Sequence, residues 1–354
     1  MEYPQGRMTG ISARTGLDII RPPQSWKHGD NHLKELIRNP WYAHLSSIAS
    51  TVFRTSVNFF EEIGARNISV PTTTTSVSSP MGLGSDSLPV KTEINGNTVY
   101  LADSLQFLLE LGMRIAKKPH YYISNSFRGE NVDGTHLSEF SHAEIEIFGP
   151  LDDIIALAEK YLRSLVAALL ERNSEDILSV AGTLDHLERL VKQSGPFRQI
   201  RFDAAMAIVR GQPGTVEEVA LGVPRITRRG EQLLMSELGT PLWLTHMPTM
   251  ACPFYQRPVG DGTHCASADL LLGPGEILGS GARCVDADEV RESIARHNVR
   301  AKDYDWYIAM KEIAPMETSG FGLGLERFYM WVMQANDIRD CTFWIRRNGE
   351  VVGP

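Results

Sequence analysis

Two segments with strand character, 121–127 and 143–148, flank the run Phe127-Arg128-Gly129-Glu130 and, shortly after it, His136-Leu137-Ser138-Glu139-Phe140. They read as an antiparallel hairpin whose loop carries the charged residues. Near the C-terminus, Gly320-Phe321-Gly322-Leu323-Gly324-Leu325-Glu326-Arg327 leads from a glycine-rich stretch into a helix. Strands that return by hairpins, with helices packed on one side, predict an α+β fold: an antiparallel sheet flanked by helices, not a doubly wound parallel sheet.

The rest of the chain fits that frame. Residues 1–30 are rich in Gly, Pro and polar residues and read as an extended arm, punctuated by Pro22-Pro23. Residues 31–354 read as one large domain. Trp41, Leu45, Ile48 and Val52 recur at three- to four-residue spacing, so 31–63 is expected to be helical, with Gly64 as its stop. A short strand closed by Pro71 follows, then a loop over 72–89 and a strand over 98–101. Helices are expected over 104–115 and 151–172, and a small helical insertion over 174–237. Strands resume at 242–245 and 267–272, the glycine-rich stretch 275–284 follows, and a last helix spans 325–334.

Composition narrows the function. The 354 residues carry a formal net charge of -8, which gives no general attraction to nucleic acid. The short cluster Arg225, Arg228 and Arg229 reads as a solvated face. The four cysteines form no CxxC pair, which speaks against a zinc site, and reduced thiols in a cytoplasm fit them. The N-terminus has no signal-peptide pattern, and no stretch approaches the ~20 apolar residues of a membrane span.

Two arginines on separate elements can clamp phosphate oxygens. Arg128 and Glu130, two apart on a strand, would face the same side, the arginine toward a phosphate and the carboxylate toward an exocyclic amine; the bland alternative is an exposed ion pair. Gly320, Gly322 and Gly324 would let a flat ligand approach the backbone, and Arg327 opens a helix whose N-terminus favours an anion. The pattern resembles GxGxxG only loosely and lacks a βαβ context, which excludes a dinucleotide site. Glu276 is a natural magnesium ligand beside a phosphate clamp, with Asp269 as a second candidate. Arg283 is a candidate fork for a carboxylate or carboxamide.

With these residues in view, 35–347 resembles the catalytic domain of class II aminoacyl-tRNA synthetases. The likeness is to the asparaginyl and aspartyl branch and to the asparagine synthetase-related proteins that lack an anticodon-binding domain. The helix and strand ending at Pro71 resemble that class's first motif, Phe127 to Glu146 its second, and Gly320 to Arg327 its third. The resemblance implies ATP as substrate, magnesium and a homodimer. It implies that Arg128 and Arg327 hold phosphates, that Glu130, His136 and Phe140 contact ATP, and that Gly324 lies against it. Glu276 and Asp269 would hold magnesium. Gln106, Glu144, Arg283 and Gly320 would hold the amino acid, and glutamate at 144 suits an amide-bearing side chain. Some positions depart from the pattern. About 30 residues precede the catalytic region, too few for the anticodon barrel, and Thr135 stands where an arginine is usual.

Three functions follow from this. The first is an AMP-forming ligase that adenylates aspartate or a close analogue and passes it to ammonia or a small amine, with tRNA not expected as a partner. The second is a stand-alone transferase of asparagine or aspartate to tRNA or a carrier. The third is a non-catalytic regulatory paralogue, which retention of Arg128, Glu130, Glu276 and Arg327 argues against.

Overall fold

The apolar periodicity of 151–172 becomes the helix Leu151–Arg172, with Asp152 and Asp153 in its first turn, where carboxylates oppose the helix dipole. The computed structural model describes residues 19–27, 29–78, 88–219, 222–346 and 348–349. The helical pattern of 31–63 is split into Gly29–Arg38 and Pro40–Glu62. Asn39 causes the split: its side chain caps the second helix by accepting from the Trp41 N–H at 3.0 Å. Pro40 then occupies a first-turn position where a missing N–H costs nothing. Both long helices bury aromatic rings on one face of the sheet. Tyr161 lies 4.8 Å from Phe60 and stacks on Phe321 at 5.5 Å.

That sheet has eight strands: β1 (Arg66–Asn67), β2 (His120–Phe127), β3 (Glu139–Phe148), β4 (Arg198–Arg201), β5 (Leu242–Thr245), β6 (Ser267–Leu272), β7 (Gly275–Ala282) and β8 (Thr318–Gly324). Their spatial order is β1-β2-β3-β8-β7-β6-β5-β4. The expected antiparallel pairing holds through the middle, and only the two outermost pairs, β1 with β2 and β4 with β5, run parallel.

Residues 174–237 differ from the helical insertion expected. They hold the helices Ser174–Ala181, Asp185–Lys192, Phe202–Val209 and Arg228–Leu238, but also the hairpin Val216–Val219 with Val223–Ile226 and the edge strand β4. The region therefore extends the main sheet. Its later part packs Phe202, Met206, Ile226 and Leu234 against Leu242, Leu244 and Leu271. The 98–101 strand is likewise half of an unforeseen hairpin, Val90–Ile94 with Asn97–Leu101.

The arm expected over 1–30 falls partly outside the described residues, up to position 18. Its described end is not extended into solvent. Trp26 donates to the Asp340 carboxylate at 2.8 Å, and Arg339 lies 3.7 Å from the Trp26 ring centroid. Among the described residues no helix is long and apolar enough to cross a membrane, and all four cysteines are free.

Strand alternation decides what the two sheet faces present. Ala143, Ile145, Phe321, Leu323, Leu278 and Ala282 point into the helix-covered core. The alternate residues of β3 are Phe140, His142, Glu144 and Glu146, and they line a groove on the opposite face. Across from them on β8, in register, are Gly324 with His142, Gly322 with Glu144 and Gly320 with Glu146. Gly279 and Gly281 of β7 continue the strip, paired with Gly322 and Gly320. Five glycines thus make a floor without side chains of its own, open to the groove at Gly279, Gly322 and Gly324 and covered by neighbouring side chains at Gly281 and Gly320.

At Gly320 the bareness is obligatory. A Cβ there would sit 1.8 Å from Glu146 Oε2 and 2.7 Å from Arg283 Nη2. Those two side chains form a buried fork, Nε to Oε1 at 2.8 Å and Nη2 to Oε2 at 3.0 Å. Breaking a buried pair leaves an uncompensated charge, so Gly320→Ala is expected to lose on the order of 3–5 kcal/mol in urea denaturation. Gly322→Ala, whose Cβ would meet Glu144 Oε1 at 3.2 Å, is expected to lose less. A Gly320→Ala protein with the parent's midpoint would contradict this packing.

Candidate active site

The groove has a volume of about 400 Å³. Its lining gathers Gln106, Arg128, His136, Phe140, Glu144, Asp269, Glu276, Arg283, Gly324 and Arg327, residues spread over 222 positions of sequence. Arg128 does not sit on a strand as expected. β2 ends at Phe127, and both Arg128 and Glu130 belong to the loop between β2 and β3. The loop is nonetheless held in place. Arg128 N–H donates to the Ser138 carbonyl at 2.9 Å, and its guanidinium lies 5.6 Å from the Phe140 ring centroid. Glu130 Oε1 accepts from the Leu88 N–H at 3.0 Å. Arg128 Nε and Glu130 Oε2 are both buried without a partner, as is Gln106 Nε2 at the start of the helix Gln106–Ala116. Buried polar atoms left unbonded cost about 1–3 kcal/mol each, so Arg128 Nε and Gln106 Nε2, whose residues line the groove, mark where a polar ligand would be held. Glu130 and Gly320, also expected at the site, do not line it: Glu130 is turned to Leu88, and Gly320 is covered by Glu146 and Arg283. His136 is exposed on the loop, where Asp133 and Thr135 bond it.

Arg327 stands in the first turn of the helix Leu325–Val332 and donates to the Glu276 carbonyl at 2.8 Å. Its guanidinium is 3.7 Å from the Glu276 carboxylate. Glu276 Oε1 and Asp269 Oδ1 both overhang Gly279, at 3.0 and 3.6 Å from where its Cβ would be. A third carboxylate joins them from a different element. Glu231, on the helix Arg228–Leu238, accepts from the Glu276 N–H at 3.2 Å. Burial, then the Glu276 charge, push Glu231 up to about 7. Burial, then Glu276 and Glu231, push Asp269 well above the usual carboxylate range. Ser280 takes no part, because its hydroxyl is committed to the Ala268 carbonyl at 2.7 Å.

At the other end of the floor, Arg283 and Glu146 are locked together. Burial pushes the Glu146 carboxyl up against the pull of the guanidinium. The bidentate fork nevertheless keeps Glu146 ionised, since protonation would strand Arg283 as a buried unpaired cation. Glu144 accepts from Ser104 Oγ at 2.6 Å and pairs with His142 Nδ1 at 3.0 Å. Burial would raise Glu144, but the bonds from His142 and Ser104 prevail and hold it below its ordinary value.

Sequence reading missed Glu231, His142 and Gln256 as groove residues. His142 had a usable signal, being two residues from both Phe140 and Glu144 on one strand. It also mistook the Arg225–Arg229 cluster. Arg225 lines the groove, and Arg228 lies at its mouth close enough to Arg327 for the two charges to repel.

Comparison with known proteins gives the family and the fold. An asparagine–tRNA ligase of Chloroflexus aurantiacus is 30% identical over 253 residues, covering 68% of this chain and 56% of that protein. One from Thermoplasma acidophilum is 28% identical over 315 residues, covering 86% of this chain and 69% of the relative. The chain thus spans little more than half of the first of these. The crystal structure of asparaginyl-tRNA synthetase from Pyrococcus horikoshii complexed with asparaginyl-adenylate shares the fold, with a TM-score of 0.82 at 24% identity over 92% of this chain and 73% of that one. Residues 29–348 match the tRNA synthetases class II (D, K and N), and the chain belongs to that family.

Proposed function

We propose that the protein is an ATP-dependent, AMP-forming ligase that activates the α-carboxylate of asparagine as an adenylate and passes it to a tRNA or similar acceptor. The observation that carries this is the placement of Arg128 and Arg327 around one glycine-floored groove, with carboxylates at one end and the Arg283–Glu146 fork at the other. The names of the relatives support asparagine activation over the amidation of aspartate by ammonia.

In this reading adenine lies against Phe140 and Glu130, and the phosphates reach Arg128, Arg327 and His136. Gln106, Glu144 and Arg283 hold the amino acid over Gly322. A carboxylate oxygen attacks the α-phosphorus and pyrophosphate leaves. The nucleophile is already ionised at neutral pH, so the step needs no protein base. The side chains contribute position and charge, with guanidinium groups set where negative charge shifts to the leaving group. Asp269, Glu276 and Glu231 would hold magnesium, which neutralises phosphate charge when bound. Their all-oxygen donor set and mutual repulsion suit a hard dication. Among the described residues no group of three such ligands stands close enough to hold a metal by itself. A homodimer through the helix Pro40–Glu62, which exposes Phe53, belongs to the same proposal.

The test is asparagine-dependent exchange of labelled pyrophosphate into ATP. Exchange with asparagine is expected. Turnover to ADP, or AMP formation only with aspartate plus ammonia, would overturn the reading. Arg128→Ala and Arg327→Ala are each expected to lower kcat/KM for exchange on the order of 100-fold or more, and lysine at either position to restore little, since it lacks the planar fork.

Glu231 gives a pH prediction. Its folded value of about 7 lies above the ordinary 4.5, so its stabilising contribution is full below about pH 4.5 and is lost as pH rises through 7. Glu231→Gln is expected to raise the melting temperature of the magnesium-free protein at pH 8 by a few degrees, leave it unchanged at pH 4.5, and raise the magnesium concentration needed for exchange. An equal shift at both pH values would contradict the assignment.

A further inference from the structure

Gln256 carries a role that none of the sequence motifs assign. It follows Tyr255 in the segment between β5 and β6 and lines the groove. Its Oε1 is buried and has no hydrogen-bond partner, and among the described residues Nε2 has none either. The amide end stands directly over Gly281, where a Cβ would meet its Cδ and Oε1, each at 2.9 Å. Gly281 pairs in register with Gly320, over which Arg283 Nη2 stands. Cross-strand partners are about 4.5–5.5 Å apart at Cα, so the Gln256 amide and the Arg283 guanidinium flank one spot on the floor. The Gln256 and Arg283 backbones form a bridge there as well.

Glu144, by contrast, already bonds Ser104 and His142 through its two oxygens. Arg283 spends Nε and Nη2 on Glu146, and among the described residues Nη1 has no bond. The polar atoms left without a bond at this end of the floor are therefore Arg283 Nη1, Gln106 Nε2 and the Gln256 amide, and of these only Gln256 Oε1 is an acceptor.

We propose that Gln256 reads the side-chain carboxamide of the substrate and selects it over a carboxylate. This rests on the reading of the groove as an amino-acid-activating site. The substrate's amide NH₂ donates to Gln256 Oε1, and its carbonyl oxygen accepts from Arg283. A carboxylate in the same place offers no donor, so it leaves Oε1 unpaired and sets two acceptors against each other. Rejection of an analogue that leaves a buried group unpaired is the strong form of discrimination. The selection requires that the buried amide atom facing the ligand be the oxygen, as Oε1 is here.

The experiment measures pyrophosphate exchange with asparagine and with aspartate for the parent protein, Gln256→Met and Gln256→Glu. Gln256→Met keeps the length and removes both polar atoms. It is expected to raise KM for asparagine on the order of 10- to 100-fold, leave KM for ATP within about twofold, and shrink the asparagine-to-aspartate ratio. Gln256→Glu keeps an acceptor for the NH₂ group and is expected to retain preference for asparagine, with aspartate rejected further. An unchanged ratio in Gln256→Met, including equal losses for both amino acids, would overturn the inference while leaving the proposed function standing. Absence of any amino-acid-dependent exchange in the parent protein would sink both.

Discussion

The Glu146–Arg283 fork is the constraint on which the site depends. Both groups are charged, both are buried, and each is tolerable only because the other is 2.8–3.0 Å away. The fork occupies the space that any side chain at position 320 would need. A glycine there lets the fork lie flat on the centre of an eight-stranded sheet whose other face is packed by aromatic rings. A second buried network backs the fork: Glu110 bonds Lys311 and Tyr307, and Lys311 donates to the Cys284 carbonyl beside Arg283. Neither network adds much net stability by itself. Together they fix where one guanidinium stands, and that position sets one end of the groove.

The other end works by the opposite principle. Asp269, Glu231 and Glu276 repel one another, and Arg228 and Arg327 repel one another nearby. Like charges held together by a fold cost stability, and a ligand carrying both a dication and phosphates would relieve both repulsions. The groove thus runs from a satisfied ion pair at one end to clustered like charges at the other. Such a gradient orients a ligand that has one compact polar end and one highly charged end.

Much of this was legible in sequence because it rests on local periodicity. The helix Leu151–Arg172 and the strands Leu242–Thr245 and Ser267–Leu272 fall where their apolar spacing put them. Arg128, Glu276 and Arg327 were found because short motifs surround them. Glu231 was not, because Arg-Arg-Gly-Glu-Gln-Leu-Leu reads as any amphipathic helix start; its meaning comes from Glu276, 45 residues away, whose N–H it accepts. Gln256 was missed for the same reason, since a glutamine becomes informative only when burial strips it of water and partners. The edge strand Arg198–Arg201 was hidden among helices because two of its four residues are exposed arginines with no apolar alternation.

The central claim is that a substrate carboxylate oxygen becomes bonded to the α-phosphorus of ATP in this groove. Turnover with asparagine labelled with ¹⁸O in its carboxylate, followed by mass spectrometry of the nucleotide product, tests it most directly. The account predicts AMP carrying one ¹⁸O atom, because the bridging oxygen leaves with the nucleotide when the acyl group is transferred. Unlabelled AMP, or label in pyrophosphate or inorganic phosphate, would contradict it.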